Sequence, residues 1–397
     1  MKLQFKHLAI IVIIILGLGI RLIPLLRTHS LIGADGYFHL VVIKEIIKEE
    51  KIEFWNPFSA GGKNISYPPG LHLLGVLSSL MTGLKPEIIT MVIPLILFVL
   101  IVLFVYKKSG SLAAAALTFA PVFIWKTTIN FLPDPLWVFL LVIGFEKTAV
   151  GSFSLLALAC SHAISLLAIP FAWLFRKNRS KLFYVAALIL ASSWFVGSSR
   201  EVPESLQKYL FEGLVPGAVL ERIGLPLLGT IGPSWTIFWF LILFSLAFLK
   251  FFELDRSLMA SIVFMSINIP KNKWLWVLVI GQIMLGTYML KALDWAFPDY
   301  LMPSLLWLKE NSVSTIAAPY HIGYWIEGIS QRPNVLDGNW EDINSEKRFQ
   351  DHFILLNGPE DEARKLMKEY NSSFILNIEE KGWYKIVFQD TNSTISS

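Results

Sequence analysis

Charged side chains are scarce in this sequence. Asp, Glu, Lys and Arg together make up 16% of its 397 residues, whereas a soluble domain carries about 25%. A deficit of this size excludes an ordinary soluble protein, because too few charges remain to cover its surface. Cysteine is scarcer still, and since Cys160 is the single one, an intramolecular disulfide is excluded.

The basic residues do not form a single patch. The net charge is only +4, and the lysines and arginines fall in short clusters between apolar runs, such as Lys107-Lys108 and residues 176–181. This pattern is typical of the cytoplasmic loops of membrane proteins rather than of nucleic-acid binding. We therefore expect a membrane bilayer, and no nucleic acid, among the partners.

Apolar runs fill the chain up to residue 296 and stop there. Residues 1–296 predict a polytopic α-helical membrane domain with roughly 9–10 transmembrane helices, and residues 297–397 predict a small soluble α/β domain. Predicted spans are 7–26, 87–106, 111–126, 135–147, 182–197, 234–252 and 274–296, with 150–175 as a hairpin of two short helices.

Lys2 and Lys6 precede the first span, which predicts a cytoplasmic N-terminus. Residues 69–83 are too short and broken to span, and predict an interfacial or re-entrant helix. Counting 258–270 as a span puts the C-terminal domain in the cytoplasm, and leaving it out puts the domain outside. The predicted outer loops are 27–86, 126–135 and 197–232.

The tail has the patterns of a mixed α/β domain. Short β-rich runs alternate with segments that carry helix-opening signals, and Glu379-Glu380-Lys381-Gly382 is a natural hairpin turn. The pattern predicts a helix at 303–311, strands at 313–318 and 334–337, helices starting near Ser345 and Pro359, and paired strands at 374–378 and 383–388.

Asp35 stands at the start of an amphipathic stretch in the first outer loop. Apolar residues from Leu40 to Ile47 alternate with lysines and glutamates, as in a helix that lies on a membrane surface. Asp35 is then either the N-cap of this helix or a carboxylate that binds a divalent metal or takes a proton.

Asp134 is the lone acid of the second outer loop, KTTINFLPDP. Either it caps a helix that Pro135 opens, or it is a functional carboxylate, since an acid this close to a span is costly unless it is paired, hydrated or metal-bound. Two acids from separate loops offer the hard oxygen ligands of a Mg²⁺ or Mn²⁺ site. Glu201 or Glu204, in the third loop, could reach the same site.

Three pieces of sequence resemble the membrane-embedded C-type glycosyltransferases (the GT-C superfamily), and above all the catalytic subunit of archaeal and eukaryotic oligosaccharyltransferase. They are ADGYFHL in the first outer loop, YPPG at its end, and the single acid of the second loop. Residues 307–339 resemble the segment around that family's Trp-Trp-Asp-Tyr-Gly motif. The likeness covers about half of the chain.

The resemblance implies a multi-pass protein of the cell membrane that moves a sugar from a polyprenyl (dolichyl) phosphate or diphosphate donor to an unknown acceptor, with the C-terminal domain outside. It implies that Asp35 is the catalytic acid and that Asp35, Asp134 and Glu201 hold Mn²⁺ or Mg²⁺. The candidates for contacting the substrates are His39, Tyr67, Lys126, Tyr324 and Arg332, with Arg21 as a further candidate for the donor phosphate. His39 otherwise faces lipid headgroups, and Arg21 and Lys126 otherwise extend to the interface.

The chain also departs from the family pattern. Leu136 stands where the second acid of the second loop belongs, and only Gly323 remains of the tail motif that grips the acceptor peptide in the family. These departures favour a glycosyltransferase that does not glycosylate proteins at Asn. The alternatives are a transporter or flippase of lipid-linked or small polar solutes and a non-catalytic relative with the same fold.

Overall fold

The computed structural model forms two compact units. A helical unit comprises Met1–Ile32, Pro68–Ser193 and Val215–Trp295, and a mixed unit comprises Gly33–Tyr67, Trp194–Leu214 and Ala296–Ser397. The structure describes residues 2–28, 31, 33–52, 55–60, 62–64, 68–128, 131–144, 157, 263, 280, 284, 301–319, 322–337, 345–378 and 384–389.

The described elements are labelled in chain order. As far as residue 144 they are α1 (Lys2–Thr28), α2 (Ala34–Glu49), β1 (Trp55–Asn56), β2 (Lys63–Asn64), α3 (Gly70–Thr82), α4 (Pro86–Ser109), α5 (Ser111–Thr118), α6 (Pro121–Thr127) and α7 (Pro133–Gly144). After residue 300 they are α8 (Leu301–Asn311), β3 (Thr315–Ala317), α9 (Gly323–Trp325), a π-helical turn (Ile326–Ser330), α10 (Ser345–Asn357), α11 (Glu360–Glu369), β4 (Ser372–Ile378) and β5 (Tyr384–Gln389).

Two helices of the described residues are long and apolar enough to cross a membrane, at His7–Pro24 within α1 and along α4. Both positions match predicted spans. In α4, apolar residues cover two sides of the helix. The buried side carries Ile89, Ile93, Leu97, Ile101 and Val105, and the exposed side carries Ile88, Val92, Ile96, Leu100 and Leu103. An apolar side left outside the protein core is what a helix in contact with lipid requires.

The predicted span at 111–126 is wrong as a single helix. The chain instead forms α5 and α6, and Phe119 and Ala120 separate them. Pro121 causes the break, because a proline disfavours helical backbone in the residue before it, and Ala120 is extended with φ −63° and ψ 125°. Helices of 8 and 7 residues are too short to cross a bilayer, which takes about 20 residues.

The short helix predicted at 69–83 is confirmed as the helix α3. The segment predicted as a span at 135–147 is described as the helix α7 from Pro133 to Gly144, and its crossing of the membrane stays a prediction. The other predicted spans, the 150–175 hairpin, the 258–270 segment and the 197–232 loop lie outside the described residues, apart from a few single positions. The 9–10 span count and the domain limits therefore stay predictions.

The mixed unit is built on a three-stranded sheet in the order β3-β4-β5. Strands β3 and β4 are parallel, and β4 and β5 form the antiparallel hairpin that the tail sequence predicted. The helices predicted near 303, 345 and 359 are confirmed as α8, α10 and α11. The strand predicted at 334–337 is reduced to Asn334, which forms isolated bridges with Ser59 and Ile316.

The helix predicted to lie on the membrane surface is confirmed as α2, but its environment is not the predicted one. The eight consecutive residues from Gly36 to Ile43 are all buried. A helix lying on a bilayer leaves its polar side exposed, so this run of burial means that protein surrounds the first half of α2. Its partners in the mixed unit are α9 and the π-helical turn.

Gly17 of α1 lets this helix approach its neighbours in the helical unit. A Cβ at Gly17 would lie 2.5 Å from Phe98 Cζ and 2.6 Å from Thr118 Cγ2, whereas a Cβ at Gly19 would meet nothing within 4 Å. We expect Gly17→Ala to lower the free energy of unfolding by about 1–3 kcal/mol through overpacking. Gly19→Ala, the matched control, should leave it unchanged or raise it by up to about 1 kcal/mol. Thermal unfolding of both variants in detergent checks this, and equal midpoints would contradict it.

Candidate functional site

Asp35 is the second residue of α2, and its side chain is exposed to solvent. It is not the N-cap, because that position is Gly33, which has φ 83° and makes no side-chain capping hydrogen bond. The prediction that Asp35 caps the helix is therefore wrong. A carboxylate in the first turn is still favourably placed against the positive end of the helix dipole. Exposure also leaves Asp35 accessible to a substrate.

His39 and Tyr324 belong to the packing around α2. His39 is buried, and its ring lies 5.2 Å from the ring of Phe38. Burial rules out the alternative in which His39 faces lipid headgroups. The ring of Tyr324, in α9, lies 5.3 Å from the same Phe38 ring. The structure therefore brings two predicted substrate-binding residues to one aromatic residue, three positions after Asp35.

Glu327 is a buried acid that the sequence analysis missed. Its carboxylate accepts hydrogen bonds from Asn56 Nδ2 at 3.1 Å and from Asn334 Nδ2 at 2.7 Å, and all three side chains are buried. The Asn334 amide also donates to Gly323 O at 3.3 Å. The one available signal was an acid inside the apolar run GYWIEGI, a position where a charge needs partners from elsewhere in the chain.

Gly323 and Arg332 come from the tail segment that resembles the family motif. A Cβ at Gly323 would lie 2.7 Å from Asp337 Cα and 2.8 Å from Leu336 O, so only glycine fits there without moving the backbone. The Arg332 guanidinium donates to the backbone carbonyl oxygens of Lys309 at 2.6 Å and Gln331 at 3.4 Å. These bonds tie Arg332 to the end of α8.

In the helical unit, Lys126 and Asp134 form a buried ion pair. Lys126 Nζ lies 3.4 Å from Asp134 Oδ2, and the two side chains are 9% and 4% exposed. Asp134 lies inside the first turn of α7, which Pro133 opens, so the prediction that it caps a helix opened by Pro135 is wrong. Burial also excludes the alternative in which Lys126 extends to the interface. Leu136, where the resemblance leads one to expect a second acid, is part of the apolar core.

Arg21 is fully buried in α1 and does not reach the interface. Its Nε donates to Thr127 Oγ1 at 2.7 Å, and its other nitrogens donate to the carbonyl oxygens of Gly17 and Thr118 at 3.0 and 3.3 Å. The guanidinium carbon lies 3.8 Å from the ring centroid of Phe98, a cation–π contact. Arg21 therefore holds α6 at Thr127, the residue next to Lys126.

The predicted metal ligands come from separate segments of the chain. Asp35 belongs to the mixed unit and Asp134 to the helical unit, and Glu201 and Tyr67 lie outside the described residues. In the part of the chain that the structure describes, no three His, Cys, Asp or Glu residues are grouped so that they could hold a metal ion. The shared metal site stays a prediction.

The chain resembles known proteins in structure rather than in sequence. Neither a protein-family model nor a curated protein sequence matches the chain. The archaeal oligosaccharyltransferase AglB from Archaeoglobus fulgidus, solved with an inhibitory peptide and a dolichol-phosphate, matches with a TM-score of 0.57 and 12% identity, over 95% of this chain and 70% of that one. A crystal structure of an oligosaccharyltransferase from the same organism, in complex with Zn and sulfate, matches with a TM-score of 0.56 and 13% identity, over 93% and 68%.

A second kind of glycosyltransferase has the same architecture. The arabinofuranosyltransferase AftD from Mycobacteria matches with a TM-score of 0.51 and 13% identity. The match covers 94% of this chain but only 35% of AftD. The chain shares the fold of these glycosyltransferases. At identities of 12–13%, the similarity shows a shared fold and does not by itself show a shared function.

The Lys126–Asp134 pair allows a direct test of what the buried charges contribute to stability. Removing one partner leaves the other buried and less well compensated, so Lys126→Met and Asp134→Asn should each lower the free energy of unfolding by about 3–5 kcal/mol. The double variant should lose less than the sum of the two losses by at least about 1 kcal/mol. Denaturant unfolding of all four proteins in one detergent measures these values.

Lys107→Met, which removes an exposed lysine at the end of α4, is the matched control and should change stability by less than about 0.5 kcal/mol. Strictly additive losses for the pair would contradict the ion-pair interpretation.

Proposed function

We propose that this protein is a membrane glycosyltransferase that moves a sugar or oligosaccharide from a polyprenyl phosphate or diphosphate donor to an acceptor on the outer face of the membrane. One observation carries the proposal: in a chain with the GT-C fold, the exposed carboxylate of Asp35 opens the helix that follows the first membrane-crossing helix. The dolichol-phosphate bound to AglB is consistent with a lipid-linked donor.

Asp35 acts as the general base of the reaction. As the acceptor nucleophile attacks the anomeric carbon, Asp35 takes its proton, and the bond between that carbon and the donor phosphate breaks with inversion. The Asp35 side chain is exposed in the first turn of α2, where an acceptor can reach its carboxylate.

Lys126 binds the phosphate of the donor. Its ammonium group supplies positive charge for a leaving phosphate, and the ion pair with Asp134 orients it. Preorganised charge of this kind stabilises a transition state more than a mobile surface lysine does, because no reorientation is needed during the reaction. Arg21 supports this arrangement through Thr127.

The described residues do not fit a metal site by themselves. The carboxylate of Asp134 lies beside an ammonium group, and the part of the chain that the structure describes offers no set of three acidic, histidine or cysteine ligands. We therefore assign no step of the reaction to Mn²⁺ or Mg²⁺. The Zn in the oligosaccharyltransferase from Archaeoglobus fulgidus makes metal dependence worth measuring.

Metal dependence is tested by titration. If Asp35, Asp134 and Glu201 hold a divalent ion, chelation with EDTA should lower transfer by at least tenfold, and added Mn²⁺ or Mg²⁺ should restore it. Asp134→Ala should then raise the metal concentration needed for half-maximal transfer, because one oxygen ligand is lost. Full activity in EDTA would contradict the metal prediction and leave charge stabilisation to Lys126.

The catalytic role of Asp35 is tested with the nearly isosteric change Asp35→Asn. Loss of the base should reduce transfer of a labelled sugar from a polyprenyl-linked donor by about 10²–10⁴-fold, while the unfolding midpoint stays unchanged. Glu49→Gln is the matched control, since it removes an exposed acid at the other end of the same helix, and it should keep full activity.

Full activity of Asp35→Asn would contradict the catalytic role. Absence of transfer by the unaltered protein, across polyprenyl-linked donors, would favour the alternatives of a non-catalytic relative or a transporter.

A further inference from the structure

The start of α2 has no side-chain cap. Its N-cap, Gly33, has no side chain and no side-chain capping hydrogen bond. A serine, threonine, aspartate or asparagine at this position would add a side-chain hydrogen bond to the first turn. Asp35 lies only two residues after Gly33, so tertiary packing of the residues that follow helps to set its position.

That packing is provided by the segment Gly323–Ser330, which comprises α9 and the π-helical turn and is called the 323–330 turn below. Phe38 of α2 packs on Tyr324 of this turn. Tyr37 lies against Gly328 so closely that a Cβ at Gly328 would be 2.6 Å from both Cβ and Cδ1 of Tyr37. The contact requires glycine, because real Cβ atoms do not approach carbon at that distance.

The 323–330 turn is itself held in place by the rest of the mixed unit. Glu327, next to Gly328, accepts hydrogen bonds from Asn56 and Asn334. The backbone of Asn334 receives its own hydrogen bond from the first outer loop, since Ala60 N donates to Asn334 O at 2.8 Å. A π-helical turn is a rare conformation that occurs often at functional sites, and here a fully buried carboxylate anchors it.

We propose that Tyr37 is a positioning residue for Asp35, and that the 323–330 turn, through Gly328, is the part of the C-terminal domain that sets the position of the catalytic base. The proposal rests on the proposed function for the role of Asp35. The contact itself does not depend on that function. Gly328 is 293 positions from Asp35 along the chain. A substitution at Gly328 is then expected to change the rate of the chemical step although Gly328 does not contact a substrate.

The experiment places an added methyl group in the contact, as Gly328→Ala, and reads the result in two ways. The first readout is the mobility of a nitroxide spin label on Asp35→Cys in a Cys160→Ser background, measured by electron paramagnetic resonance. The second is transfer from a labelled polyprenyl-linked donor by the protein that keeps Asp35. Gly19→Ala, where the added methyl meets nothing, is the matched control in both.

We expect Gly328→Ala to increase the mobility of the label and to lower kcat by at least tenfold with the KM for the donor within twofold, while Gly19→Ala matches the parent. An unchanged label spectrum overturns the proposal, and so does increased mobility with an unchanged kcat. Failure of the unaltered protein to transfer sugar overturns the proposed function instead, and the label spectrum still decides whether the 323–330 turn holds α2.

A second variant covers the case in which Gly328→Ala does not fold. Glu327→Gln keeps the shape of the side chain but turns one of its two acceptor oxygens into a donor, so one of its bonds from Asn56 and Asn334 is lost. It should loosen the turn without a steric clash and shift both readouts in the same direction, less strongly. A label spectrum and kcat equal to those of the parent overturn the proposal.

Discussion

A charge inside an apolar chain must be compensated by the chain itself, and this constraint organises both units of the structure. Each buried charge described here has partners from elsewhere in the sequence. Arg21 is held by Thr127, two carbonyl oxygens and the ring of Phe98. Glu327 accepts two amide hydrogen bonds. The cost of leaving such groups unpartnered in a low-dielectric interior is several kcal/mol each, so the partners fix how the elements pack.

The same hydrogen bonds and ion pairs also fix the positions of the elements that take part in the proposed reaction. Arg21 fixes α6 at Thr127, and the preceding residue, Lys126, is paired with Asp134. In the mixed unit, the Glu327 network fixes the turn on which the Asp35 helix packs. In both units a buried polar network holds an element that carries or contacts the helix of a candidate functional side chain. Such preorganisation lets a charge act in a reaction without first being reoriented.

The fold is shared with structural relatives whose sequences are very different. The match to AglB covers 95% of the chain at 12% identity. This is expected where an apolar side of a helix meets lipid, since many apolar residues satisfy the same requirement. A difference within the motifs that resemble the family has another effect, because it changes a charge. Leu136 replaces a charge with an apolar side chain, and it is buried in the core, so the second loop of this protein carries one acid with a lysine partner.

The sequence by itself determined the elements that depend on local patterns. Three local features could be predicted: the helices α1 and α4, the hairpin of β4 and β5, and the start of α10. The spacing of apolar residues and the residues of a turn are properties of neighbouring positions, so the sequence shows them directly. The break at Pro121 was not predicted, although the effect of proline on the residue before it was a local signal for the break. Asp35 and Asp134 could be chosen as candidates because acids beside apolar runs are costly. Only the tertiary structure decided that protein surrounds α2, that Lys126 pairs with Asp134, and that Glu327 is buried with Asn56 and Asn334 as partners. The physical reason is that burial and pairing are set by segments far apart in the chain, and no local period records which of them will meet.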